Sequence, residues 1–160
     1  MNDEIYNLRK TLHQHPELSG QEVNTAKRIL NFIKLYGGSV TEFVKDIGGH
    51  GLAVVYEFSP EGPTIVIRCE LDALPIEEVN NFIHKSICQG ISHKCGHDGH
   101  MAIVAGLVFW LREQKFRSGK IVLLFQPAEE NGTGGYLVTQ DNKWENLRAD
   151  YVFALHNLPG

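Results

Sequence analysis

Apolar residues recur at helical spacing over residues 5–15 (Ile5, Leu8, Leu12) and 22–35 (Val23, Ala26, Ile29, Leu30, Ile33), which predicts two amphipathic helices. The His-Pro-Glu-Leu-Ser-Gly between them reads as a turn and a helix start, and Tyr36-Gly37-Gly38 stops the second helix. The pattern then changes to strands at residues 40–44, 51–58 and 63–71. Ser59-Pro60-Glu61-Gly62-Pro63 reads as a hairpin loop joining the last two. Residues 77–94 show no period and are expected to form an irregular loop. Residues 98–114, apolar at Met101, Val104, Ala105, Val108 and Leu111, predict a helix. Residues 120–125 are nearly all apolar, as in a central strand covered on both faces. After a glycine-rich elbow at 132–135, read as a flexible link, Tyr136 begins another helix, and residues 151–155 look like a further buried strand. Helices interleaved with strands predict an α/β fold: a three-layer α/β/α domain with a mostly parallel mixed sheet.

Composition narrows the function. The 160 residues are 42% hydrophobic and 21% charged, enough for one sizeable core without covalent staples. A net charge of −4 with no basic block argues against nucleic acid as a partner. The apolar stretch at 101–111 is far short of the roughly 20 residues that span a bilayer, so no membrane partner is expected. An acidic N-terminus is unlike a secretory signal, and three cysteines (Cys69, Cys88, Cys95) make no disulfide framework, so a cytoplasmic location is expected.

The chemistry concentrates at four places. His93-Lys94-Cys95-Gly96-His97-Asp98-Gly99-His100 packs three imidazoles, a thiol and a carboxylate into eight residues where a loop enters a helix. Cys95 and His97, two apart in extended chain, project to one side, and thiolate with imidazole is a donor set for zinc and related ions. A solvated loop capping the helix is the competing interpretation. Glu129-Glu130 follows the strand at 120–125, where ligands bind in an open α/β sheet. In extended chain the two carboxylates face opposite ways, so one could hold a metal while the other faces water; the residues alone do not say which, and capping of the next helix is the alternative. Glu70 and Asp72 leave another strand end, and His156 follows a fourth apolar run. A parallel sheet would bring all four to one edge.

The ordered segments RCELDALP, HKCGHDGHMA, FQPAEE and ALHNLPG, preceded by LHQHPELSGQE, resemble the metal-dependent aminoacylase-type amidohydrolases. That group includes hippurate hydrolases, N-acyl-diaminopimelate deacetylases and indole-acetyl-amino-acid hydrolases, and is related to glutamate carboxypeptidases. The resemblance runs from about residue 8 to residue 160. It implies a zinc-peptidase-like catalytic domain with two divalent metal ions, zinc or manganese, with cobalt or nickel as alternatives. It also implies roles: Cys95, His97, Glu130 and His156 as metal ligands, Glu129 as general base, and Asp72 as a supporting carboxylate beside the metals. The implied reaction is hydrolysis of the amide bond of a small N-acyl amino acid or peptide, with Glu129 moving a proton from the attacking water to the leaving amine.

Two positions depart from the pattern: Glu70 stands where relatives carry Asp, and Lys94 where they carry a small residue. Relatives are also more than twice as long, with a lid and dimerisation domain after the His-Asn-x-Pro-Gly segment and a last histidine ligand beyond it. The resemblance therefore makes residues 1–160 the N-terminal part of the catalytic metal-binding domain, with the lid domain absent and the sheet incomplete on its C-terminal side. Weak metal occupancy, little activity and an unpaired sheet edge prone to self-association are expected of such a portion. A non-catalytic metal-binding module is one alternative. A thiol hydrolase with Cys95 as nucleophile is another, though it leaves Glu129 and Glu130 without a task. The Gly132-Thr133-Gly134-Gly135 run lacks the Lys-Ser/Thr of a phosphate loop, and His13 and His15 are expected to be structural.

Overall fold

The computed structural model describes residues 2–157. Eleven elements follow one another: α1 (Asn2–Gln14), α2 (Val23–Tyr36), β1 (Glu42–Ile47), β2 (Gly51–Ser59), β3 (Thr64–Glu70), α3 (His97–Gly106), α4 (Val108–Leu111), β4 (Gly119–Gln126), α5 (Gly134–Thr139), α6 (Asn142–Leu147) and β5 (Tyr151–Ala154). The strands form one sheet in the order β1-β2-β4-β3-β5. Alternation along the two central strands splits the core in two. Leu52, Val54, Tyr56, Leu123 and Phe125 face one side, where α1–α4 supply Leu12, Ile29, Ile33, Met101 and Val104. Ala53, Val55, Val122 and Leu124 face the other, against Val138 of α5 and Leu147 of α6. The three α/β/α layers expected from the sequence are present.

Four details differ from the sequence reading. The sheet is evenly mixed rather than mostly parallel: β1–β2 and β2–β4 are antiparallel, β3–β4 and β3–β5 parallel. Helical crossovers make the second pair of connections, and only these force parallel pairing. Residues 59–63 do not close a hairpin, because β4 inserts between β2 and β3 and pairs with both. The long helix breaks at Leu107 into α3 and α4. Finally, β5 is exposed rather than buried: Tyr151, Val152 and Phe153 are each more than half accessible, because β5 pairs only with β3 among the described residues. No helix among the described residues is long and apolar enough to cross a membrane.

Candidate functional site

Strands β3, β4 and β5 run parallel, so their C-terminal ends meet at one edge of the sheet. Asp72 follows β3, Glu129 and Glu130 follow β4, and His156 follows β5. The loop before α3 brings Cys95 and His97 to the same edge. A cleft of about 510 Å³ opens there, lined by Cys95, His97, His100, Glu129, Glu130 and His156 among others.

Ligand atoms of Cys95, His97 and Glu130 lie within 4.8 Å of one another. His156 is on the cleft wall and is not part of that cluster; Leu158-Pro159-Gly160, which complete its motif, lie outside the described residues. The neighbouring Asn157 donates from Nδ2 to the Cys95 carbonyl at 2.9 Å, tying the segment after β5 to the Cys95 loop. Gly96, with φ +89°, makes this clasp possible, because a Cβ there would sit 1.9 Å from Asn157 Nδ2.

His97 is the centre of the arrangement. Its Nδ1–H donates to the Asp72 carbonyl at 2.9 Å, with Asp72 Oδ1 3.6 Å away. Its Nε2 is thereby left free for a cation, 3.6 Å from Glu129 Oε2, 3.7 Å from Glu130 Oε1 and 4.0 Å from Glu70 Oε2. Burial works against a charge on this ring, but Asp72, Cys95 and the Glu70 charge outweigh it and raise its pKa to about 11. A pocket that binds a proton this strongly carries surplus negative charge suited to a divalent ion. Asp72 Oδ1 is buried without a hydrogen-bond partner, which adds to that surplus. Donors about 2.0–2.2 Å from a shared tetrahedral ion lie about 3.3–3.6 Å apart, so the Glu129 and Glu130 oxygens at 3.6 and 3.7 Å from Nε2 are close to that spacing and the Glu70 oxygen at 4.0 Å is wider. The donor set therefore fits zinc-type metals.

Both carboxylates of the Glu129–Glu130 pair reach His97, contrary to the expectation for extended chain. The backbone turns at Ala128 (φ +50°), so adjacent side chains no longer alternate. Two contacts hold this turn: Glu22, fully buried, accepts from the Ala128 N–H at 2.7 Å, and Asp72 Oδ2 accepts from the Glu130 N–H at 2.9 Å. Asp72 Oδ2 also accepts from Ser19 Oγ at 2.7 Å. Burial would raise the Asp72 carboxyl, but the His97 ring 3.6 Å from Oδ1 and the hydrogen bonds that Oδ2 accepts from Ser19 and the Glu130 N–H lower it to about 2. The glycine-rich elbow is not a flexible link: a Cβ on Gly134 would lie 1.6 Å from the Pro127 carbonyl oxygen, so glycine is what lets α5 start against this turn.

Sequence reasoning passed over several of these supports. Ser19 and Glu22 lie in the LHQHPELSGQE segment but receive no role from it, since their partners are 53 and 106 positions away. Glu78 and His13 form a second buried network under the Cys95 loop. Glu78 accepts from Lys94 Nζ at 2.8 Å, from the Ser86 N–H at 2.7 Å and from His13 at 3.1 Å, while His13 Nδ1 meets Asp98 at 3.0 Å. Lys94, the departure from the family pattern, is thus paired. Burial would raise the Glu78 carboxyl, yet Lys94, Ser86 and His13 hold it near 2, below its ordinary 4.5. The resulting stability is complete above pH 4.5 and is lost as pH falls through about 2. Glu78→Gln is therefore expected to cost about 1–3 kcal/mol at neutral pH. In urea unfolding, its deficit against the parent should shrink as pH falls through that window.

Residues 66–160 match the sequence model of peptidase family M20/M25/M40. An N-acetyl-L-cysteine deacetylase of Bacillus subtilis is 40% identical over 98% of this chain and 36% of its own length. The hippurate hydrolase of Campylobacter jejuni is 36% identical over 98% of this chain and 40% of its own. A crystal structure of a B. subtilis dinuclear metal-binding peptidase of the M20 family superposes with TM-score 0.85 and 33% identity, covering 98% of this chain and 43% of that one. The chain spans about two fifths of the length of the relatives it matches.

Proposed function

Because this chain belongs to peptidase family M20/M25/M40, and because its cleft gathers thiol, imidazole and carboxylate donors, we propose that it acts in metal-dependent hydrolysis of N-acyl amino acids or related small amides. The single observation that carries this reading is the convergence of Cys95, His97 and Glu130 within 4.8 Å, with Glu129 Oε2 3.6 Å from the same imidazole nitrogen. In this reading residues 1–160 are the N-terminal part of a catalytic domain. Cys95, His97, Glu130 and His156 would hold two divalent ions; the thiolate and imidazoles favour zinc, and manganese, cobalt or nickel are the other ions the family resemblance implies. When bound, the ions polarise the acyl carbonyl and offset the negative charge that develops on its oxygen.

The chain's own residues do the rest. Glu129, with its side chain open to the cleft, takes the proton of the attacking water and returns it to the leaving nitrogen. Asp72 fixes the His97 tautomer through its carbonyl and anchors the Glu130 backbone through its carboxylate, so one residue positions two ligands. The free cysteines agree with a reducing cytoplasm.

The test is release of free amine from N-acetylcysteine and hippurate, with and without Zn²⁺ or Mn²⁺. Weak release that is metal-stimulated and chelator-sensitive is the expected result, since the chain spans about two fifths of its relatives' length. Stoichiometric metal without release would favour a non-catalytic metal-binding module. Metal-free release abolished by thiol alkylation would favour a Cys95 thiol hydrolase, a scheme in which Glu129 and Glu130 have no task.

A further inference from the structure

Glu70, at the end of β3, is fully buried. One of its oxygens pairs with Arg68 Nη1, and Arg68 Nε donates to Gln126 Oε1 on the neighbouring strand at 3.0 Å, so the carboxylate is clamped between two strands. Its Oε2 lies 2.9 Å from His100 Nδ1. A carboxylate paired with Arg68 only accepts, so Nδ1 of His100 carries a proton, and in the neutral ring the Nε2 lone pair is then left unused. His100 lines the cleft. Its Nε2 has no partner among the described residues, yet it is not one of the enclosed unpartnered atoms, so it is open to whatever fills that space. His97 is held in the same way, by Asp72 on Nδ1 with Nε2 free.

From this we infer that His100 is a further substrate-contacting residue: its Nε2 accepts a hydrogen bond from the N–H of a bound secondary amide. The inference rests on the function proposed above. A secondary amide brings one acceptor and one donor. Its carbonyl goes to the cations, while Cys95, Glu129 and Glu130 are occupied by the cations and by proton transfer. Of the imidazoles lining the cleft, the one that Glu70 orients holds no cation in this reading and is an acceptor for the N–H. The cleft would then prefer secondary amides to esters and tertiary amides, because these leave a desolvated Nε2 without a donor.

The test compares N-acetylglycine with acetoxyacetate, the ester in which oxygen replaces the N–H, bound to the metal-loaded protein carrying Glu129→Gln to block turnover. The amide is expected to bind about five- to tenfold tighter. Adding His100→Phe should reduce that preference below about twofold with metal content unchanged. A preference that survives His100→Phe overturns the inference. Loss of metal in that variant also overturns it, since His100 would then be a ligand in a cluster with Glu70 and His97. Nitrogen NMR of the unsubstituted histidine needs no such variant: Nδ1 should carry the proton, and the Nε2 resonance should move on adding the amide but not the ester. A proton found on Nε2 overturns the inference as well. If neither compound binds, the functional proposal itself fails and takes this inference with it.

Discussion

Glu129→Gln is expected to lower turnover of an N-acyl amino acid about 10²- to 10⁴-fold, the range for loss of a general base, while metal content stays that of the parent. The two adjacent carboxylates are alike in reach, 3.6 and 3.7 Å from His97 Nε2, and Asp72 interacts with both backbones, so what separates them is the ligand cluster and the open cleft. Glu130 shares the cluster with Cys95 and His97, which fits a fixed ligand. Glu129 stands outside that cluster and lines the open cleft, where a proton acceptor must meet water and substrate. Glutamine keeps the shape and the hydrogen-bonding reach of Glu129 but cannot take a proton. The reciprocal change, Glu130→Gln, should weaken metal binding first and turnover as a consequence. Metal content and initial rates measured on both variants check the assignment. Near-parental rates in Glu129→Gln would refute it.

The second large effect is on the cation. His97→Ala is expected to weaken Zn²⁺ binding by more than about 100-fold, and Asp72→Asn by about 10- to 100-fold, the usual range for a residue that orients a ligand. His97 supplies the nitrogen around which Glu70, Glu129 and Glu130 gather at 3.6–4.0 Å, so without it the carboxylates lose their common partner. Asp72 acts indirectly. Its carbonyl remains in the Asn variant, but the carboxylate that Ser19 and the Glu130 N–H address loses its charge. Competition with a chromophoric chelator measures both affinities. Equal losses would mean that Asp72 touches the metal, and no loss in His97→Ala would remove it from the site.

Much of this architecture was legible in the sequence because it depends on short-range pattern. Helical spacing located α1 and α2 to within a few residues, and the apolar run at 120–125 identified β4 as a strand covered on both faces. That the Glu129–Glu130 pair would share an edge with Cys95 and His97 was expected of motifs at the strand ends of one sheet, whereas the choice of Glu130 as the ligand came only from the family resemblance. What the sequence hid depends on long-range pairing. The insertion of β4 between β2 and β3 turned a hairpin-like loop into a connection across a strand. The apolar residues of β5 read as buried because composition does not reveal whether a neighbour covers them. The αL turn at Ala128, which sends both carboxylates into one cleft, is imposed by Glu22 more than a hundred residues away. His100 and Glu70 lay in plain view within recognised motifs, yet their pairing across 30 positions appears only once β3 and α3 are packed together.

Cobalt loading tests the central claim most directly, because a thiolate ligand to Co²⁺ produces a sulfur-to-metal charge-transfer band that imidazole and carboxylate ligands do not. The protein is expected to take up Co²⁺ with that band present, to lose the band in Cys95→Ser, and to lose uptake in His97→Ala. No uptake by the parent, or a band that persists without the Cys95 sulfur, would contradict a cation site built from Cys95, His97 and Glu130.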